Sequence, residues 1–287
     1  MTDPRTPTDG GQPPTGDEQP ATDDKQPATD DEQPPAGDEQ PQTDRPTVLV
    51  PLEVLEGESL PAGTTELLAN AHVVLLGYHV LPEQTATEQA REQFGETAMS
   101  KLGEFAGALE AVGATAETRL VFTHDKQTTV DRLIYEYDCL AVLVPNSAER
   151  VESVLVAVRG TVGVDRIARL VAGLFAGTEI AVTLYHVLGE GETDEDAETL
   201  LNGVRADLVE RGMDADAVEI LIEETETPVD AISGRGEAHD AVIMGETDPS
   251  VTTFVFGMPA EQVAERFLGP VLVVQRERPE ATDASAE

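Results

Sequence analysis

The segment Tyr78-His-Val-Leu81 returns letter for letter as Tyr185-His-Val-Leu188, and the stretches around the two copies follow one plan. Val48-Leu-Val-Pro-Leu-Glu-Val54 is echoed by Val154-Leu-Val-Ala-Val-Arg-Gly160, Val130-Asp131 by Val229-Asp230, and residues 141–145 by 241–245. The offset stays near ~100 residues throughout, the mark of a duplicated supersecondary unit. In the first copy, apolar runs at 48–54 and 71–80 read as buried strands. Phe94, Ala98, Leu102, Phe105, Leu109 and Val112 then recur at helical spacing up to Gly113. A strand at 117–123, a short helix around 129–135 and a strand at 139–145 complete it. The second copy restarts with a helix (Val164, Ile167, Ala168, Val171, Leu174), a strand at 179–188 and a helix (Leu200, Leu201, Val204, Leu208) that stops at Gly212.

Strands alternating with helices imply parallel sheets reached by right-handed crossovers. The expected fold class is α/β, with two tandem Rossmann-like parallel-sheet domains at 47–150 and 151–278. The first lacks its last helix and strand, because the about eight residues between Pro145 and Val154 are too few for a crossover helix. The bare edge left at 139–145 would invite aggregation. It should therefore be covered by the second half, as an intrachain pseudo-dimer, or by another subunit of a homodimer.

Residues 1–46 follow a different rule. Pro20, Pro27, Pro34 and Pro41 punctuate an acidic repeat with no apolar position. Such a segment cannot offset the entropy of ordering, so a disordered tail is expected there, and again at 279–287. The formal net charge is -38, and Lys25, Lys101 and Lys126 are the only lysines. This excess of carboxylates fits a salt-rich cytoplasm and argues against nucleic-acid or membrane-surface partners. Leu170 to Leu188 is apolar enough to suggest a membrane span, but Gly177, Thr178 and Glu179 interrupt it and the halves differ in period; a helix followed by a strand is expected, with no membrane insertion. Cys139, the single cysteine, excludes an intramolecular disulfide and reads as a small buried hydrophobe.

Two features resemble the universal stress protein family: the strand Val154-Leu-Val-Ala-Val158 before a tight turn and helix, and the ending Val242-Ile-Met-Gly245, a loop, Gly257, a helix at 259–268, then Gly269-Pro-Val-Leu-Val-Val274. The resemblance covers 47–276. It implies five-stranded parallel sheets, a cytoplasmic location, dimeric assembly and, in one subgroup, ATP at the strand ends. That subgroup carries Gly-x2-Gly-x9-Gly-Ser/Thr, whose glycines let backbone amides approach phosphate. Carried over, the nucleotide-binding positions would be Gly245, Thr247, Gly257 and Met258, with Arg159 and Thr161 in the turn after the first strand of the second half. Asp248 stands in place of the second glycine, the spacing is one residue short, and Met258 replaces the hydroxyl. The family's acidic residue at the end of the first strand corresponds to Glu53 in one half and to Arg159 in the other.

No lysine or arginine lies between Gly245 and Met258, whereas Glu246 and Asp248 do. A carboxylate about 5 Å from a phosphate charge costs roughly 3 kcal/mol at an effective dielectric near 20. Triphosphate binding in the usual mode is therefore disfavoured: the expectation is no bound cofactor, with ATP or AMP as the alternative. No nucleophile elbow, phosphate loop or His-Glu-x-x-His occurs, so neither catalytic nor metal-ligating residues are expected. Gly234-Arg235-Gly236 reads as a turn. His79 and His186 fall at matching strand ends, as shared packing or capping groups. The functional expectation is a non-enzymatic stress-response or regulatory protein acting through protein contacts or a weak small ligand. The alternative is an adenine-nucleotide sensor, with a regulatory protein partner such as an amino-acid transporter.

Overall fold

The computed structural model describes residues 45–245 and 267–276, apart from 58, 147, 162 and 190. The expected tail, residues 246–266 with most of the expected helix at 259–268, and the C-terminal residues from 277 lie outside the described residues. Phe267 and Leu268, at the end of that stretch, are not helical.

The first half runs β1 (Thr47–Glu53), α1 (Ala62–Leu67), β2 (His72–Val80), α2 (Thr87–Ala111), β3 (Thr115–Thr123), α3 (Lys126–Glu136) and β4 (Ala141–Val144). The second runs β5 (Ser153–Ala157), α4 (Val164–Phe175), β6 (Ala181–Val187), α5 (Asp194–Glu210), β7 (Val218–Glu223), α6 (Pro228–Gly236), β8 (Ala241–Gly245) and β9 (Val271–Val274). Val48, Leu49, Val50 and Leu52 are all fully buried, which is why β1 lacks the alternation of a one-faced strand. Side chains close several helix starts. Asp125 accepts the Thr128 amide ahead of α3, and Thr193 and Asp196 form a reciprocal capping box ahead of α5.

The strands make one sheet in the order β3-β2-β1-β4-β9-β8-β5-β6-β7. Every pairing is parallel except β4 with β9, where Ala141 faces Val274 and Val144 faces Val271. The edge that the sequence left bare is thus covered from within the chain. β9 is at once the fifth strand of the second half, parallel to β8, and the neighbour the first half lacks. Because that junction is antiparallel, the strands of the two halves finish at opposite ends of the sheet.

One face of the sheet carries a single core running through both halves, under α1, α2, α4 and α5; Leu102, Leu170, Leu201 and Leu272 all belong to it. The other face holds two separate cores, one with Val130 and Leu133 of α3, one with Tyr185 and Phe267. The halves are also stapled by Arg166 of α4, whose guanidinium donates to the carbonyls of Gln275 (2.7 Å) and Cys139 (3.1 Å). Asn70 donates to Leu174 O at 2.9 Å from the other side.

Three expectations need correction. Gly234-Arg235-Gly236 is not a turn but the last turn of α6. Phe94 does not join the buried stripe of α2: it is 37% exposed, while Ala98, Leu102 and Leu109 are buried. Cys139 lies buried just ahead of β4 rather than inside it. The letter match also hides a slip in register. Both β1 and β5 meet the fourth strand alike (Val48 beside Ala141, Val154 beside Ala241), yet Val48 faces Val73 while Val154 faces Val182, the counterpart of Leu75. A shift of two residues keeps every side chain on its own face, so packing tolerates it.

Candidate functional site

Open parallel α/β sheets place ligands outside the carboxyl ends of the strands, where strand order reverses. In the second half this point lies between β5 and β8. Ala157 pairs with Met244 there, bringing the turn after β5 beside the end of β8. Arg159, Gly160 and Thr161 are all exposed in that turn. Gly163 takes φ +78°, a left-handed conformation that a side chain would strain, and so lets the chain enter α4 at once. A Cβ placed on Gly245 would sit an ordinary 3.6 Å from Ile167 Cδ1. The structure therefore brings Arg159, Thr161 and Gly245 to one end of the sheet. Thr247, Gly257 and Met258 lie outside the described residues. Among the described residues Arg159 makes no hydrogen bond or ion pair, so its charge is available to an incoming anion.

Behind the turn sits His186, 2% exposed. Its Nδ1 lies 2.8 Å from Val158 O, the residue before Arg159, and its Nε2 lies 2.9 Å from Glu192 Oε2. A carbonyl and an ionised carboxylate both only accept, so in this arrangement both ring nitrogens act as donors. Glu192 Oε2 also accepts the Gly189 amide at 2.8 Å. Three segments are thereby tied together: the end of β5, the loop after β6 and the approach to α5. The Gly189 amide, and after it His186, hold the Glu192 carboxyl below its ordinary value. The register slip gives the matching His79 different company. Its Nδ1 lies 3.9 Å from Glu53 Oε1 without a hydrogen bond, and its ring meets Phe122 edge-on.

A carboxylate with a depressed folded value contributes stability that is present above the unfolded value and lost as pH falls through the folded one. Acid also relieves the repulsion of this anionic chain, which works the other way. The comparison that isolates the latch is wild type against Glu192→Gln, since glutamine cannot accept from both partners through one charged oxygen. We expect the variant to melt a few degrees lower at neutral pH, and the gap to close as pH falls through the ordinary carboxylate range and below it. Thermal melts across that range check it; a gap that does not change with pH would show that the charge of Glu192 is irrelevant.

The other three histidines hold partners elsewhere in the described residues. His72 meets Thr115 Oγ1 (2.9 Å) and His124 meets Leu81 O (3.1 Å). His239 bridges Arg235 O and Thr183 Oγ1 at 2.9 and 3.1 Å. Burial pushes the Cys139 thiol up to about 12, which leaves it unreactive at neutral pH. Tyr185 is likewise raised to about 12, by burial and then by Glu223, whose carboxylate takes both the Tyr185 hydroxyl (3.1 Å) and Arg235 Nε (2.8 Å). Sequence reasoning missed the partners Glu192 and Glu223, and also Asp240, which accepts from the amides of Glu152 and Ser153 and from Ser153 Oγ. In a chain this acidic nothing marks these three carboxylates out.

A cavity of about 600 Å³ opens at the opposite end of the second half, where its strands begin. Glu149, Glu152, Glu237 and Asp240 line it beside Arg150 and His239. The excess of carboxylates makes it a poor host for an anion. Among the described residues no three His, Cys, Asp or Glu side chains are grouped to hold a metal ion, and no helix is long and apolar enough to cross a membrane.

No protein-family model matches the sequence, and no curated protein is similar to it. Similar solved structures do exist. A universal stress protein from Archaeoglobus fulgidus DSM 4304 superposes with a TM-score of 0.57 at 19% identity, covering 80% of this chain and 96% of its own. Another from Archaeoglobus fulgidus covers 49% of this chain and 98% of its own, with a TM-score of 0.33 at 20% identity. A universal stress protein in complex with cAMP covers 46% of this chain and 100% of its own, with a TM-score of 0.35 at 19% identity. Taken with the order and direction of its strands, the first of these likenesses shows that this chain has the universal stress protein fold.

Proposed function

We propose that this protein is a non-catalytic regulator of the universal stress type, which acts through protein contacts and through a weakly held small ligand at the carboxyl ends of β5 and β8. The observation that carries the reading is the state of its reactive groups. Four of the five histidines, His72, His124, His186 and His239, hold backbone or side-chain partners, the ring of the fifth, His79, packs edge-on against Phe122, and the thiol of Cys139 is buried. Such groups stabilise a scaffold, whereas catalysis needs them aimed at an open site. A regulatory protein partner, an amino-acid transporter among the candidates, would read the ligand's presence.

The alternative, an adenine-nucleotide sensor, draws on Arg159. One exposed guanidinium suits one phosphate, while Glu246 and Asp248 oppose a longer chain of them. AMP or adenosine should therefore bind more tightly than ATP, reversing the order set by a glycine-rich phosphate loop. Calorimetry in molar KCl with Mg²⁺ decides it. An ATP dissociation constant near micromolar, about -8 kcal/mol, would overturn this reading of the site. Turnover of ATP would overturn the non-catalytic one.

A further inference from the structure

The connection from β4 to β5, residues 145–152, does more than join the halves. It crosses the point outside β1 and β4 where the strand order of the first half reverses, the counterpart of the crevice in the second half. The amide of Gly63, in the first turn of α1, donates to Ala148 O at 3.1 Å. Thr64, fully buried, donates its hydroxyl to Asn146 O at 3.2 Å. The approach is so close that a Cβ on Gly63 would lie 2.7 Å from Ala148 O and 2.9 Å from Arg150 N. Val151 is buried in the main core and Ala148 packs against it. Backbone carbonyls of the connection thus take the Gly63 amide and the Thr64 hydroxyl at this end, and the apolar side chains of Ala148 and Val151 pack onto the core beside them.

We propose that the connection is a built-in occupant of the first half's crevice, so that each chain offers one ligand crevice, in the second half, and not two. The inference rests on the reading that the crevice at β5 and β8 takes a small ligand. The packing of the connection itself does not depend on that reading, and the two are tested apart.

Amide exchange tests the occupant without any ligand. In the full-length protein in molar KCl, the Gly63 amide should be as protected as its neighbours in β1; exchange at the rate of an exposed loop would overturn the proposal. Thr64→Val keeps the shape of the buried side chain and removes its bond to Asn146. It should accelerate exchange at Gly63 and across 148–151 about tenfold or more, leaving β6 and β7 unchanged. Gly63→Ala should do the same more strongly, and Thr64→Val serves alone if the alanine variant does not fold. No acceleration in Thr64→Val would mean that the connection does not sit on α1. Equilibrium dialysis with labelled AMP then counts sites. One AMP per wild-type chain supports the proposal and two overturn it. None, with Gly63 still protected, leaves the first crevice occupied and refutes the ligand reading of the second.

Discussion

A chain carrying Leu272→Asp should lose both halves in a single transition. Leu272 is fully buried in β9, between Leu143 of the first half and Ile243 of the second. A carboxylate there would sit among the apolar side chains of the main core. Burying an unpaired charge is among the few single changes that cost more than ~4 kcal/mol, a large fraction of a domain's stability. Because β9 belongs to both halves and one core face runs beneath them, the loss should not stay local. Circular dichroism melts and gel filtration in molar KCl check this. Leu272→Val, expected to cost about 1 kcal/mol, controls for the change of residue. Persistence of a folded first half after the second has melted would show that the shared strand does not couple them.

The second large effect is expected from salt alone. Diluting KCl from about 1 M to about 0.1 M lengthens the Debye length from about 3 Å to about 10 Å, so carboxylates that ignored one another begin to repel. Ion pairs strengthen on the same dilution, and Arg211 with Asp165 and Asp207 (2.8 Å each) is such a group. Exposed pairs contribute only about 0–1 kcal/mol apiece, however, and cannot offset a formal net charge of -38. The α/β body should loosen or unfold in dilute buffer and recover when salt returns. Full stability at neutral pH and low salt would refute the reading of the charge as salt adaptation.

The duplication made much of this architecture readable from sequence. Strands buried on both faces announce themselves as apolar runs, and the short connection after β4 foretold both the missing strand and its covered edge. Other features left no trace. α1 is six residues of Ala, Gly, Thr and Glu ending in Leu, with no side-chain cap, so neither propensity nor punctuation marks it. α6 ends in Gly-Arg-Gly, which reads as a turn until Pro228 at its start and the pairing of Arg235 with Glu223 hold it helical. At the candidate site, the sequence located the end of β5 by analogy with the end of β1. It could not show the two-residue slip that gives His186 a carbonyl and a carboxylate, nor that the connection would turn its carbonyls onto α1. Such outcomes depend on register and close approach, which periodicity does not encode.

The antiparallel seam at β4 and β9 also sets an order in time. A ribosome delivers the first half long before Val271–Val274, the strand that closes it. Roughly 130 residues separate β4 from that strand, so at about 5–20 residues per second the nascent chain waits some 6–25 s with the outer edge of β4 unpaired. During that interval the exposed backbone of Ala141–Val144 is a template for any passing strand, including one from a neighbouring ribosome on the same message. Newborn chains of this protein are therefore most exposed to mispairing before synthesis ends, and a slow stretch of translation just upstream of β9 would cost more folded protein than the same pause placed early in the first half.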